Sequence, residues 1–286
     1  MRLVRRLTGE RRVGHTGTLD PAASGVLPVC MGQATRLVEY LVDSRKSYLA
    51  EVELGATTDT YDSEGSVTFR GDCSQIDVLA LQEALERFRG QIRQQAPVYS
   101  ALKHQGRPLY RYARAGEPVS VVKIRDVSIY QLEVTAFNPP LVVLSVECGK
   151  GTYIRSLAHD LGQVLGCGAY LRSLERTSVG PFHLQETNSP AEVEAAFAQG
   201  REMRLVYHPD IILAHKPAVI LSGTSERVMR NGRSLAFGPK AEAGHDRQPP
   251  YEICRAYSEC GDLIGLLRYN PEEYKWTPEK VFQHSA

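Results

Sequence analysis

The sequence predicts an α+β chain, with one mixed α and β domain followed by a small β-rich domain. Three observations predict this. A length of 286 residues with 42% hydrophobic content is enough for one large core and a second small one. Strand-period and helix-period segments succeed one another through the first two thirds of the chain. From Ala214 onward the pattern changes to short strands split by Gly, Asn and Pro.

Each element has a local reason. Lys46 to Leu54 alternates, with Tyr48, Ala50, Val52 and Leu54 on one face, the period of a half-buried strand. Asp77 is placed to cap a helix that runs to about Arg89, buries Leu81, Leu85 and Phe88, and stops at Gly90. Leu141 to Cys148 is an apolar, β-branched run that reads as a buried strand, and Gly149, Lys150 and Gly151 follow as a turn. A helix then begins near Thr152 with an apolar stripe of Ile154, Leu157, Ala158, Leu161, Val164 and Leu165, ended by Gly166 and Gly168. Ser189 and Pro190 form an N-cap and first-turn pair for a short helix through Gln199. Residues 201–213 read as a connection. Beyond them, Ile253 to Tyr257 and Leu263 to Tyr269 read as a strand pair around Gly261, and Phe237 to Pro250 as an exposed loop.

Composition narrows the function classes. No run reaches the ~18 consecutive apolar residues of a membrane span, and the Arg-rich N-terminus lacks an apolar signal region, so a cytoplasmic protein is expected. The six cysteines show no Cys-x-x-Cys pair or zinc-ligand spacing, so the expectation is reduced thiols and no metal. A formal net charge of +1 gives no sign of a polyanionic partner, but the distribution does. Arg2, Arg5, Arg6, Arg11 and Arg12 face a single acid, Glu10, and Lys103, Arg107, Arg111, Arg114, Lys123 and Arg125 form a second basic stretch interrupted by Glu117. Either run alone is equally a solvated face. Together they flank a chemical motif.

That motif is Gly14-His15-Thr16-Gly17-Thr18-Leu19-Asp20-Pro21, followed by the small residues Ala22, Ala23, Ser24 and Gly25. Small residues let backbone approach a ligand closely, and an Asp-Pro step favours a turn that presents the carboxylate. By local pattern alone, Asp20 serves equally as a turn cap.

This segment, continued through Gly25-Val26-Leu27-Pro28-Val29 and Gly32-Gln33-Ala34-Thr35-Arg36, closely resembles the catalytic segment of the TruB-type tRNA pseudouridine synthases. Three further segments resemble the same family in the same chain order. Lys46-Ser47-Tyr48-Leu49-Ala50 is similar to the segment whose tyrosine stacks on the target base, and Gly151-Thr152-Tyr153-Ile154-Arg155 to the one with a base-contacting tyrosine and an aspartate-paired arginine. Leu171-Arg172-Ser173-Leu174-Glu175-Arg176-Thr177 is similar to the segment whose leucine closes the base pocket, although Glu175 replaces an arginine there. Gln95 to Lys103 also resembles a family segment, leading into the basic stretch.

The resemblance implies the pseudouridine synthase fold, a mixed, largely antiparallel central sheet with flanking helices. It implies a catalytic domain over 1–212 with an RNA-clamping insertion at about 94–126, and a small RNA-binding domain over 213–286. The catalytic residue is then Asp20, as nucleophile or as base toward the sugar. His15, Tyr48, Tyr153, Arg155 and Leu174 contact the substrate or shape its pocket, and Lys103, Arg107, Arg111 and Arg114 hold RNA backbone. Arg155 has a physical reason of its own to sit beside an anion, because the first turn of a helix disfavours a cation. The expected reaction is isomerisation of the T-loop uridine, position 55 of tRNA, without cofactor. The expected partner is the tRNA T-arm stem-loop, with no obligatory protein partner and a monomeric chain. The family begins with a strand carrying Lys-Pro-x-Gly-x-Ser/Thr, and this sequence starts inside the following helix. Absence of that strand would leave a sheet edge unpaired.

Other classes fit less well. A glycosidase needs a second acid paired with Asp20. A phosphate loop at Gly149-Lys150-Gly151-Thr152 fails because Leu144 occupies its first glycine position and Gly151 its Ser/Thr position. An RNA-binding module without turnover keeps the basic surface, but Asp20, Tyr48 and Arg155 together argue for an enzyme.

Overall fold

The structure is a computed structural model that describes residues 1–100, 102–115, 117, 123–236 and 251–283. The expected loop over 237–250 and part of the expected insertion (101, 116 and 118–122) lie outside the described residues, as does the side chain of Arg114.

Contacts divide the chain into two compact units. The larger comprises Thr16–Pro28 and Leu41–Thr187. Its main sheet is built from β1 (Ala23–Gly25), β2 (Lys46–Leu54), β3 (Gly90–Gln95), β4 (Ile124–Asn138), β5 (Leu141–Cys148), β6 (Ala169–Val179) and β7 (Phe182–His183), and helices α1 (Val78–Glu86) and α2 (Ile154–Leu165) pack on it. The sheet runs β7-β6-β2-β5-β4-β3, every neighbouring pair antiparallel, and β1 adds to β6 in parallel. This is the mixed, largely antiparallel sheet that the resemblance implied.

The period of two in β2 puts Ala50, Val52 and Leu54 on the face that α1 and α2 cover, where they join Leu81, Leu85, Leu157 and Leu161 in one core. β5 differs from expectation. Its burial alternates strictly, with Val142, Leu144 and Val146 inside and Val143 and Ser145 only half-covered, because the helices pack on one face of the sheet. Helix α1 is capped by Asp77, whose side chain accepts from Ala80 N at 2.8 Å, and it ends at Glu86, a turn earlier than expected. Helix α2 buries Ile154, Leu157, Ala158 and Leu161, but Val164 is exposed, so the apolar stripe is shorter than it reads.

Helix α2 lies so close to the start of β6 that a Cβ added at Gly162 would stand 2.0 Å from Ala169 N and 2.4 Å from the Gly168 carbonyl carbon. Gly162→Ala should therefore lose roughly 1–3 kcal/mol by overpacking, although alanine is the better helix former by about 1 kcal/mol. Urea unfolding measures this, and a midpoint at or above the parent's would refute the close approach.

The smaller unit comprises Met1–His15, Val29–Tyr40 and Asn188–Ala286. Strands Val13–His15 and Val29–Met31 pair antiparallel. Helix Pro190–Ala198 starts in the capping box of Ser189 and Glu192 and meets helix Arg2–Thr8 through an Arg6–Glu194 ion pair. A four-stranded sheet runs Ala218–Ile220, Ile253–Tyr257, Leu263–Asn270, Lys275–Val281 in that spatial order. Leu221, Met229, Cys254, Ile264 and Trp276 fill its core. The strand pair around Gly261 is as expected, whereas helix Gly223–Arg230, capped by Ser222, is not. The contact-based units also differ from a division at 212/213, because the N-terminal helix and ribbon group with the C-terminal segments.

Candidate active site

Asp20 sits on the loop that enters β1, in a turn closed by Ala23 N donating to Asp20 O at 2.9 Å. Arg155, in the first turn of α2, meets its carboxylate with two parallel bonds, Nε to Oδ2 at 2.8 Å and Nη2 to Oδ1 at 3.0 Å. The anion expected beside Arg155 is thus present. The pair is asymmetric in exposure. Arg155 is 6% exposed and Asp20 40% exposed, so one side of the carboxylate faces outward while the other is fixed. Bidentate guanidinium–carboxylate pairing sets an orientation as well as a distance.

The buried guanidinium has further partners that the sequence reading missed. It donates to the carbonyls of Thr60 (3.3 Å) and Tyr99 (3.1 Å), and Asp62 Oδ2 lies 3.3 Å from Nη1. Asp62 is held in turn by the Thr60 hydroxyl at 2.6 Å and Glu64 N at 3.1 Å, and its backbone bridges to Leu171 of β6. A second carboxylate therefore backs the arginine. Its sequence signal is the polar run Asp59-Thr60-Tyr61-Asp62-Ser63 before Gly65, where Tyr61 takes a left-handed φ of 65°.

A shallow depression opens over this pair, with Ala22, Ala23, Leu171 and Leu174 among its lining residues. Of these, Leu174 is 9% exposed. Tyr48 is packed against the core on β2, and β6 sets Arg176 directly opposite it. Burial pushes the Tyr48 phenol up to about 12, while the neighbouring Arg176 pulls it the other way. Tyr153 caps α2. Buried Gln94 fixes its backbone, accepting from Tyr153 N at 2.8 Å and donating to Tyr153 O at 3.0 Å.

The remaining predicted residues lie in other surroundings. His15 ends the strand Val13–His15, opposite Val29. Lys103 and Arg111 are exposed, Lys103 on a small ribbon and Arg111 on the helix Leu109–Arg114. Arg107 is already engaged, with Glu117 oxygens both at 2.9 Å and the Tyr112 ring beneath it at 4.5 Å.

A family model described as the TruB family pseudouridylate synthase N-terminal domain matches residues 5–154, and one described as the tRNA pseudouridylate synthase B C-terminal domain matches residues 155–209. The chain belongs to the TruB family. A TruB relative named tRNA pseudouridine synthase B, from Dehalococcoides mccartyi, is 44% identical over 280 residues, 98% of this chain and 90% of that protein. One of the same name from Thiobacillus denitrificans is 44% identical over 279 residues, 96% of this chain and 88% of that one. A chain from an H/ACA ribonucleoprotein bound to a substrate RNA containing 2′-deoxyuridine shares the fold, with a TM-score of 0.70 at 22% identity over 98% of this chain and 79% of that one. A chain of a Cbf5-Nop10-Gar1 complex does too, at 0.69 and 24% over 98% and 78%. Asp20 and Tyr48 fall within the TruB N-terminal match, Arg155 and Leu174 within the C-terminal one.

Proposed function

We propose that this TruB-family chain isomerises the T-loop uridine of tRNA, position 55, with the Asp20 carboxylate as its catalytic group. The observation that carries the reading is a half-open carboxylate held in bidentate fashion by a buried arginine at the floor of a depression.

A uridine stacked in an RNA loop cannot offer its reacting atoms, so it must turn out into the depression. Stacking on Tyr48, at ~1–3 kcal/mol, offsets much of the unstacking. The bond between uracil N1 and ribose C1′ then breaks, the base turns, and C5 bonds to C1′ while the C5 hydrogen leaves as a proton to water and N1 takes up a proton from water. Asp20 acts on the sugar as nucleophile or base, oriented by Arg155, and Tyr153 and Leu174 confine the turning base. Lys103, Arg107, Arg111 and Arg114 hold phosphates of the T-arm, and His15 contacts the target loop. Residues 213–286 form a small RNA-binding domain beside a catalytic domain over 1–212. The chain works as a monomer in the cytoplasm, without a cofactor or an obligatory protein partner.

T-arm RNA tritiated at uridine C5 tests this directly. Wild-type chain should release one tritium per target uridine, and binding without release would replace the enzyme with an RNA-binding module. The phosphate contacts are tested separately. Lys103→Glu with Arg111→Glu should raise the apparent KM for tRNA by roughly tenfold or more while leaving kcat near its parent value, and an unchanged KM would refute them.

A further inference from the structure

Arg176 is a buried cation whose bonds go to neutral groups. It is 2% exposed, its Nε donates to Val26 O at 2.7 Å and its Nη2 to Gly17 O at 3.3 Å, and its charge acts on the Tyr48 phenol. Gly17 and Val26 bracket Asp20 in the sequence. The same residue's backbone holds the same parts: it stands opposite Gly25 on β1 and Tyr48 on β2, and Arg176 O accepts from Val26 N at 2.8 Å. The approach is so close that a Cβ at Gly25, where φ is 102°, would lie 2.2 Å from Arg176 O.

Taking a guanidinium out of water costs several kcal/mol, and buried ionic groups are often replaced by apolar ones without loss of stability. Packing alone therefore gives little reason for an arginine here. A planar fork of five donors does what an apolar side chain cannot, spanning two carbonyls in fixed directions beside a phenol. Those two acceptors belong to the loop of the proposed catalytic carboxylate, and the phenol to the proposed stacking ring.

We infer that Arg176 is a positioning residue, which ties both ends of the Asp20 loop to β6 and to Tyr48 so that carboxylate and aromatic ring are held in one mutual geometry. This rests on the reading of Asp20 as the catalytic group. Arg176 need not touch the substrate to matter, since a displacement of about 1 Å at a reacting group costs about 100-fold in rate.

Arg176→Lys in the full chain keeps the charge and removes the fork. Single-turnover tritium release should fall by about 100-fold, with the melting temperature changed by a few degrees and T-arm RNA affinity changed by a few-fold at most. Tyr48→Phe removes the hydroxyl from the ring opposite Arg176, so the double variant should be much less impaired than the two single effects multiplied. A folded Arg176→Lys with single-turnover rate within threefold of wild type, or fully multiplicative effects, overturns the inference. Should the variant not fold, amide exchange in the wild type decides: residues 17–26 should exchange as slowly as β6, and exchange at the rate of exposed loops overturns it. Asp20→Asn run in parallel separates the two readings. Full activity in that variant overturns the catalytic assignment, whereas an inert Asp20→Asn beside an unimpaired Arg176→Lys overturns only the positioning role.

Discussion

Asp20→Asn should reduce C5-tritium release by a factor on the order of 10⁴ and leave T-arm RNA affinity within a few-fold. The amide matches the carboxylate in size but can neither attack a sugar carbon nor take a proton from one at useful rates. Its oxygen still accepts one bond from Arg155, while its NH₂ faces a guanidinium that only donates. The second carboxylate, Asp62, continues to balance the arginine, so the loop should stay folded. RNA affinity should persist because phosphate contacts dominate it and Asp20 makes none of them in this reading. Release at the parent rate would remove Asp20 from the chemistry.

Arg155→Ala should have the second largest effect, on stability and rate together. Arg155 is 6% exposed and Asp62 14% exposed, so its removal leaves a nearly buried carboxylate without a cation, close to a second carboxylate. Breaking a buried pair in this way costs about 3–5 kcal/mol. The Thr60 and Tyr99 carbonyls also lose their donor. A melting temperature lower by roughly 10 °C follows from that cost in a chain of this size. Arg155→Lys should fall between, since an ammonium keeps the charge but cannot match two carboxylate oxygens at once. Tritium release measured below both melting temperatures separates lost geometry from lost folding, and an Arg155→Ala variant that melts and turns over like its parent would sink the account.

How much of this was legible depends on the range of each interaction. Lys46–Leu54 and the helix carrying Arg155 were readable because their periods are local, and the cap of Asp77 lies three residues from its donor partner. Leu141–Cys148 was placed correctly but read as buried throughout, since a run of Val and Leu does not say which sheet face will be covered. Helix Gly223–Arg230 was missed because a single side chain, Met229, is buried and the segment is otherwise polar. In the site, the dipole argument called for an anion near Arg155, and Asp20 supplies it from 135 residues away. Gln94 and Arg176 carry no comparable local signal, and the polar run around Asp62 does not say which cation it will meet. Their importance arises only when Leu171 bridges to Asp62 and β6 lies between β1 and β2. Arg107, expected to hold RNA backbone from a basic stretch interrupted by Glu117, is paired with that same Glu117 ten residues on.

The parallel attachment of β1 to β6 also sets a schedule. Val26 and the arginine that binds its carbonyl are 150 residues apart, and Asp20 and Arg155 are 135 apart. A ribosome that adds about 5–20 residues per second needs roughly 7–30 s to make the later member of each pair. Throughout that interval the Gly- and Ala-rich loop is a nascent tether with no template to fold upon. The emerging chain is therefore inert towards RNA chemistry until β6 leaves the exit tunnel, and such long-range closure makes this the slow step of its assembly.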